Sequence, residues 1–293
     1  MDSPHTARRR RMLAGLCALL AAPALAIPAA AGPGTPATGA SASSVPMAVA
    51  FSDTFDGEAG AAVDGSKWVQ EIGDNSGNNH ERQFYTEGNA NAALDGQGHL
   101  VITARKENPN NYQCWYGTCE YTSARLNTSG RFSAQYGHVE ARIKIPRGQG
   151  IWPAFWMLGD DIGSNPWPNC GEIDVMENIG SEPSIVHGTI HGPGYSGGGG
   201  IGAAYENPGG APFADDFHTF AVDWAPDSIQ WSVDGNVYQT RTPADVGGNQ
   251  WVFNKPFFII LNLAVGGDWP GDPDGSTTFP QQMVIDEVKV ETS

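Results

Sequence analysis

Val139-Glu140-Ala141-Arg142-Ile143-Lys144-Ile145 alternates strictly between aliphatic and charged residues. In an extended strand, successive side chains point to opposite faces, so the aliphatic residues share one face and the charged residues share the other. One apolar face and one solvated face are typical of a strand in an antiparallel sheet. This stretch therefore predicts a β-strand that packs one face on an apolar core.

Strand signals recur along the chain beyond this stretch. Phe257–Val265 is apolar on both faces except at Asn262, as expected of a central strand, and Asp234-Gly235 is a hairpin turn signal. No segment carries a clear helical period, and 38 glycines and 21 prolines separate the strand signals. We predict an all-β fold, a β-sandwich jelly roll of two curved antiparallel sheets. Further strand signals lie at Phe220–Trp224, Ile229–Val233 and Val284–Val290.

The N-terminal region has the features of an export signal. Arg8–Arg11 form a basic patch, an apolar run follows from Met12 to Ile27, and small residues suited to cleavage lie near 26 and 31. Residues 1–31 are therefore predicted to be a signal peptide for the Sec or the twin-arginine route. Residues 32–49 are mostly small and uncharged, which predicts a flexible linker. We expect a secreted, extracellular protein whose β-sandwich domain spans 50–293.

The charge balance narrows the class of partner. The formal net charge is -16 at pH 7, and loss of the signal arginines makes the mature chain more acidic. A strongly acidic surface repels phosphate backbones, so we expect no nucleic-acid partner. No other apolar stretch is long enough for a membrane span, so we expect no membrane partner either. A neutral polymer fits this surface, and we expect the protein to be a monomer.

Three cysteines remain after the signal region. Cys114 and Cys119 lie in one loop and could close a small disulfide in an exported protein, although the sequence leaves this open. If these two cysteines pair, Cys170 is left over, and we expect it to be buried and unpaired. Metal binding by the three is disfavoured because no Cys-x-x-Cys spacing occurs.

The acidic segment Gly171-Glu172-Ile173-Asp174-Val175-Met176-Glu177-Asn178 carries the candidate chemistry. Strand alternation puts Glu172 and Asp174 on one face but turns Glu177 towards the core, where a bare carboxylate is costly. One extra residue, a β-bulge near Val175–Met176, would return Glu177 to the face of Glu172. We therefore predict a bulge at this point.

Three carboxyl groups on one face cannot all ionise cheaply, so at least one pKa must rise. Glycoside hydrolysis uses one ionised and one protonated carboxyl, and a retaining enzyme needs them roughly 5–5.5 Å apart. A residue spacing of about 3.3 Å leaves the Cα atoms of Glu172 and Glu177 on the order of 13 Å apart, so strong sheet curvature is required. The alternative interpretations of this acidic segment are a solvated strand face or a calcium site.

Upstream of it, Trp152 and Trp156 share strand parity across the small Ala154, as in a slot for a sugar ring.

Five segments in order closely resemble glycoside hydrolase family 16, and within it the bacterial laminarinases, which are endo-1,3-β-glucanases. The resemblance runs from about Phe51 to Val290. It implies a jelly-roll sandwich with a concave substrate cleft and a retaining double displacement without a catalytic cofactor. The segments are Tyr121–Leu126, Tyr136–Arg142, Gly148–Leu158, Gly171–Asn178 and His187–Ser196.

The resemblance also implies residue roles. Glu172 matches the nucleophile, Glu177 the acid/base, and Asp174 the acid that tunes their protonation. The inserted Met176 favours laminarinase-like over lichenase-like specificity, since the lichenase branch lacks it. Arg125 and His191 match polar positions that contact sugar hydroxyls near the cleaved bond, and Asn79 matches an asparagine at the cleft. The slot between Trp152 and Trp156 could hold a sugar ring, and Trp269 could form a wall of the cleft, so we expect all six residues to bind β-glucan.

Many relatives hold a structural calcium ion on the convex side of the sandwich. Asp286 matches its side-chain ligand, and backbone carbonyls near Glu58 and Gly98 would complete an oxygen shell. The alternative is that Asp286 only caps a strand end.

The sequence predicts a secreted retaining endo-1,3-β-glucanase that hydrolyses internal bonds of laminarin-type glucans. Two alternatives stay open on the same fold. One is a hydrolase of mixed-linkage 1,3-1,4-β-glucan or another polysaccharide. The other, a non-catalytic β-glucan-binding lectin, is disfavoured because such sequences typically lose one of the two glutamates and this one keeps both.

Overall fold

The computed structural model describes residues 47–293. The predicted signal peptide over 1–31 and residues 32–46 of the predicted linker lie outside the described residues. The first strand begins at Ala48, two residues before the predicted domain start at 50, because Ala48 and Val49 pair with Thr292 and Glu291 of the last strand. The linker prediction was therefore wrong for these two residues.

The described residues form nineteen strands and four short 3-10 helices, and none of these helices is long and apolar enough to cross a membrane. The strands are β1 (Ala48–Asp53), β2 (Val69–Glu71), β3 (Gln83–Tyr85), β4 (Ala92–Leu94), β5 (Leu100–Ala104), β6 (Gln113–Cys114), β7 (Gly117–Thr118), β8 (Tyr121–Ser123), β9 (Arg125–Asn127), β10 (Gly137–Lys144), β11 (Ile151–Gly159), β12 (Glu172–Glu177), β13 (Ile185–His191), β14 (Ile201–Glu206), β15 (His218–Ala225), β16 (Ser228–Val233), β17 (Asn236–Arg241), β18 (Phe257–Val265) and β19 (Gln281–Thr292). The 3-10 helices are Asn75–His80, Gly197–Gly199, Pro208–Gly210 and Pro243–Val246.

Two large antiparallel sheets make up the domain. One has eight strands in the order β17-β16-β15-β10-β19-β5-β4, with β1 added on β19. The other has seven strands in the order β14-β13-β12-β11-β18-β9-β2. Two small pairs, β3 with β8 and β6 with β7, lie outside these sheets. This architecture confirms the predicted all-β jelly roll of two antiparallel sheets.

The core lies between the two sheets and follows the predicted alternation. The aliphatic residues of β10 are fully buried, while its charged residues remain partly or fully exposed. Every residue of β18 is buried, in keeping with its position between β11 and β9. Burying each large apolar side chain contributes roughly 1.5–3 kcal/mol, so these two strands stabilise the sandwich strongly.

A hydrogen bond ties the eight-stranded sheet to the acidic strand β12. The indole Nε1 of Trp231, on β16, donates to the backbone oxygen of Asp174 at 2.7 Å inside the core. Gly188, on β13, leaves room for this indole, since a methyl group at Gly188 would overlap Trp231 and the hydroxyl of Tyr238. The core packing therefore fixes the position of β12 relative to the eight-stranded sheet.

The cysteines and one turn follow the sequence. Cys114 of β6 forms a disulfide with Cys119, which directly follows β7, and Cys170 is buried and free among residues 47–293. Asp234 and Gly235 adopt positive φ angles of 50° and 75°, the backbone of a tight hairpin turn, between β16 and β17.

Candidate active site

A cleft of about 1170 Å³ crosses the outer face of the seven-stranded sheet. Side chains from six adjacent strands line its floor, and loops at both ends of those strands form its walls. The floor residues come from β9, β11, β12, β13, β14 and β18. Because the cleft runs across the sheet, one strand in its middle can present several side chains to a single bound polymer.

Strand β12 carries the predicted bulge. On one side Asp174 and Glu177 pair with Thr189 and His187, so three steps along β12 match two steps along β13. Val175 and Met176 are the extra pair of positions, and both side chains are buried in the core. Glu172, Asp174 and Glu177 all line the cleft as a result. The bulge prediction is confirmed, and its physical reason is that it keeps Glu177 out of the apolar core.

Each of the three carboxyl groups has a nitrogen neighbour in the cleft. Trp167 Nε1 donates to Glu172 Oε2 at 2.7 Å, and Trp152 Nε1 donates to Glu177 Oε1 at 3.1 Å. His191 Nε2 lies 3.0 Å from Asp174 Oδ2 and 3.9 Å from Glu172 Oε1. The Asp174 contact has the distance of an ion pair but not the alignment of a hydrogen bond. The cluster is therefore held by polar contacts at both ends of the carboxyl row.

Burial and mutual repulsion raise the pKa values of all three groups. Burial raises the pKa of Glu172 to about 8, assisted by the charge of Asp174 and opposed by His191 and the Trp167 indole. Burial raises the pKa of Asp174 to about 7. The pKa of Glu177 lies well above its usual value because of burial and the charges of Asp174 and Glu172. The cluster therefore retains protons at neutral pH, as the sequence predicted for at least one member.

Four tryptophans line the cleft, and two of them come from β11. Trp152 and Trp156 project from the same face of β11, with Ala154 between them. Trp156 Nε1 donates to Asn262 Oδ1 at 2.7 Å, and the Arg125 guanidinium lies 4.7 Å above the Trp156 ring. Aromatic faces of this kind can stack on the apolar face of a pyranose ring.

Two loops close the cleft on the Glu177 side. Trp269 is 42% exposed and packs edge-on against Trp152 at 5.7 Å. Asn79 adopts a positive φ of 55°, and its backbone oxygen accepts from Asp268 N at 2.8 Å, which joins the two loops. His80 Nδ1 strengthens the junction by contacting both Asp268 oxygens at 2.9 and 3.0 Å.

All six residues expected to bind substrate line this cleft. Arg125 also makes an ion pair, with Nε 3.1 Å from Glu71 Oε2 on the neighbouring β2. This ion pair holds the guanidinium in place beside the cleft. Their contacts with a sugar remain predictions.

Sequence reasoning missed Trp167, His187 and Asn262, which also line the cleft. Trp167 lies on a loop before β12, where no strand parity applies. His187 has the same parity as His191 on β13, so strict alternation would have placed both on the cleft face. Asn262 is the one polar residue in an otherwise apolar central strand, and a buried polar side chain of this kind requires a partner.

The surroundings of Asp286 do not fit the expected calcium ion. Arg142 donates to Asp286 Oδ2 at 2.6 Å, and His99 Nε2 lies 3.6 Å from Asp286 Oδ1. Calcium requires a shell of six to eight oxygen ligands, whereas both oxygens of this carboxylate face nitrogen donors. Asp95 binds His99 Nδ1 at 2.6 Å, so an ion-pair network occupies the region where calcium was predicted.

Metal-capable side chains also meet in the cleft. Glu172, Asp174 and His191 offer ligand atoms within 4.8 Å of one another. A divalent cation held there would contact two of the three carboxyl groups that the substrate must reach. It would therefore compete with the substrate.

An open cleft lined with tryptophans and a row of protonatable carboxyl groups defines a glycoside hydrolase. The chain belongs to glycosyl hydrolases family 16, whose pattern it matches over residues 79–289.

Individual relatives agree with this membership. A protein named beta-glucanase from Rhodothermus marinus is 40% identical over 252 residues, which cover 82% of this chain and 83% of the relative. A glucan endo-1,3-beta-glucosidase from Cryptopygus antarcticus is 38% identical, with 72% and 80% covered. The solved laminarinase catalytic domain from Thermotoga maritima MSB8 is 46% identical, with a TM-score of 0.78 and with 84% and 98% covered.

Proposed function

We propose that this protein is a retaining endo-1,3-β-glucanase that hydrolyses internal bonds of laminarin-type glucans by double displacement. The observation that carries the proposal is the carboxyl row Glu172, Asp174 and Glu177 on the bulged strand β12, in the middle of a cleft that crosses the sheet. A polymer that lies across the strands can be cut within its length, because strands on both sides of β12 offer binding surface to its sugar units.

In the first step Glu172 attacks the anomeric carbon and Glu177 gives its proton to the leaving oxygen. Glu177 suits the acid role because burial and two neighbouring charges raise its pKa. Glu172 suits the nucleophile role because Trp167 donates a hydrogen bond to its carboxylate and His191 lies nearby, and both favour the anion.

In the second step Glu177, now ionised, takes a proton from water as that water attacks the glycosyl–Glu172 ester. The ester removes the charge of Glu172 from the cluster, which lowers the pKa of Glu177 and prepares it to act as a base. Asp174 lies between the two and adjusts the proton affinity of both, because its charge raises their pKa values.

Specificity for 1,3-β-glucan is supported by the names of two relatives, the glucan endo-1,3-beta-glucosidase and the laminarinase catalytic domain. The alternative substrate, mixed-linkage 1,3-1,4-β-glucan, stays open because the name of the Rhodothermus marinus relative states no linkage. The extra residue Met176 in the acidic strand favours the first of these.

The test measures release of reducing sugar from laminarin, lichenan, barley β-glucan and agarose in parallel, with Glu172→Gln as the inactive variant. We expect laminarin to be cleaved fastest, into a range of oligosaccharides, with the first product in the β-anomer by NMR. The α-anomer would contradict double displacement. Faster cleavage of barley glucan would favour the mixed-linkage alternative, and binding without cleavage would identify a lectin.

We also propose that the protein is exported and acts as a monomer without a metal cofactor. The signal features of residues 1–31 support export. Support for the monomer is that the exposed large apolar side chains of the described residues are few, and two of them, Trp167 and Trp269, line the cleft. For the monomer, light scattering should give the mass of one chain per particle. For export, protein without the signal peptide should appear outside the cell. For the absence of a metal cofactor, EDTA should leave activity and melting temperature unchanged.

A further inference from the structure

The segment Asp74–Arg82, called here the wall segment, forms part of the cleft wall and has an unusual backbone. Residues with side chains rarely adopt left-handed φ angles, and such strain persists only where surrounding contacts hold it. The wall segment therefore depends on its neighbours for its shape. Its non-glycine residues with φ angles between 51° and 55° are Asn75, Ser76, Asn79 and His80.

The cleft depends on this shape, because Asn75 and Asn79 both line it. Asn75 Oδ1 accepts a hydrogen bond from Arg125 Nη1 at 3.5 Å. Asn79 O accepts from the backbone nitrogen of Asp268 at 2.8 Å, and Asp268 directly precedes the exposed Trp269. A change in the wall segment would therefore displace side chains at two places along the cleft.

Trp115, in the turn of the β6–β7 hairpin, holds the wall segment near both of its ends. Trp115 N donates to Asp74 Oδ2 at 2.6 Å, and Trp115 Nε1 donates to Glu81 O at 2.7 Å. The indole also packs against His80, with 4.9 Å between the ring centroids. The hairpin itself does not line the cleft, so Trp115 can affect the cleft only through the residues it contacts.

Two further features fit the hairpin closely to the wall segment. Tyr116 OH donates to Arg82 O at 2.7 Å, and the Arg82 guanidinium lies 4.1 Å above the Tyr116 ring. Gly77 has a φ of 72°, and a methyl group there would lie 3.0 Å from Trp115 Cβ. Contact this close requires a hairpin that keeps its own shape.

The Cys114–Cys119 disulfide gives the hairpin that shape. Strands β6 and β7 have two residues each, and an isolated two-stranded hairpin is marginally stable at best. A disulfide that closes so short a loop removes many of the other conformations that its residues could adopt. The disulfide therefore presents Trp115 to the wall segment in one position.

We propose that Trp115, presented by the disulfide hairpin, is a positioning residue for the binding of β-glucan. It acts through the wall segment, which it keeps in the strained conformation that places Asn79 and Trp269 at the cleft. No hydrogen bond among the described residues joins the wall segment to the three carboxyl groups of β12, so the effect falls on substrate binding and not on bond cleavage. The inference rests on the proposed glucanase function.

The experiment measures kcat and KM on laminarin for Trp115→Phe and Trp115→Ala. Phenylalanine keeps a ring against His80 but loses the Nε1 donor, whereas alanine loses both. We expect KM to rise about threefold in Trp115→Phe and about tenfold in Trp115→Ala, with kcat within about twofold of wild type, because lost substrate binding raises KM alone. The double variant Cys114→Ser with Cys119→Ser should raise KM in the same way and also leave kcat unchanged.

Trp251→Phe is the matched control. Trp251 is also a partly buried tryptophan whose Nε1 donates to a backbone carbonyl, that of Pro226 at 3.0 Å, and it does not line the cleft. The control should lower the melting temperature about as much as Trp115→Phe does while leaving KM at the wild-type value. A rise of KM in Trp251→Phe equal to that in Trp115→Phe would overturn the positioning role, since general loss of stability would then explain both.

A binding measurement separates this inference from the proposed function. Calorimetry with laminarihexaose compares the inactive Glu172→Gln protein with the same protein carrying Trp115→Phe or Trp115→Ala, and we expect Kd to rise by the same factors as KM. Equal Kd values in all three proteins, or a lower kcat at constant KM, would overturn the positioning role alone. If the wild type leaves laminarin intact and Glu172→Gln binds no laminarihexaose, the proposed function fails and the positioning role fails with it.

Discussion

Replacing Glu172 with glutamine should abolish catalysis and at the same time stabilise the fold at neutral pH. Burial raises the pKa of Glu172 to about 8, from an ordinary value of 4.5. The folded protein therefore binds this proton more tightly than the unfolded chain does. The stability associated with the protonated group is fully present below about pH 4.5 and decreases as pH rises towards the folded value.

The size of the effect follows from the same two pKa values. Each pH step between them costs about 1.4 kcal/mol, so at pH 7 the wild-type fold has lost about 3 kcal/mol relative to acid conditions. Glutamine keeps the shape of the side chain and carries no charge, so the variant avoids this loss. For a domain of this size the gain corresponds to a melting temperature higher by about 6–12 °C.

The assay is the free energy of unfolding by guanidinium, measured from pH 4.5 to pH 8 for the wild type and Glu172→Gln. The exposed Glu87→Gln is the matched control, and its curve should follow the wild type. The wild-type and Glu172→Gln curves should meet near pH 4.5 and separate with rising pH. Parallel curves across this range would refute the argument that burial of the carboxyl destabilises the fold.

Three further predictions concern the same region. In Trp167→Phe the hydrogen bond to Glu172 is lost, so the pKa of Glu172 rises, the acid limb of the kcat/KM profile moves to higher pH, and activity at pH 5 falls about tenfold. In Asp174→Asn a negative charge disappears, so the pKa of Glu177 falls and the alkaline limb of the profile moves to lower pH. In Gly188→Ala the new methyl group overlaps the core, so the free energy of unfolding, measured with guanidinium, falls by about 1–3 kcal/mol.

Each prediction has an outcome that would contradict it. An unchanged acid limb in Trp167→Phe would mean that the indole does not stabilise the nucleophile. A shift of the alkaline limb to higher pH in Asp174→Asn would mean that the charge of Asp174 does not reach Glu177. Wild-type stability in Gly188→Ala would mean that the two sheets can separate slightly at no cost.

Local pattern was sufficient for the fold class and for the acidic strand. Alternation in β10 and the apolar run of β18 predicted their burial because side-chain direction in a strand depends only on position along the chain. The bulge at Val175–Met176 was predictable for a related reason, since without it Glu177 would enter the core.

Pattern could not show which partners come from distant parts of the chain. Asp286 matches a calcium ligand in the sequence, and in the structure Arg142 donates to one of its oxygens while His99 Nε2 lies 3.6 Å from the other. Trp167 lies on a loop without strand parity, so its hydrogen bond to Glu172 could not be read from spacing.

The sequence by itself therefore determined that the chain is a β-sandwich and which strand carries its three carboxyl groups, because alternation and the cost of a buried charge act within a few residues. Only the tertiary structure decided which donors face those carboxyls and how far burial raises their pKa values. These properties depend on which strands become neighbours, and strand pairing is set by packing across the whole domain.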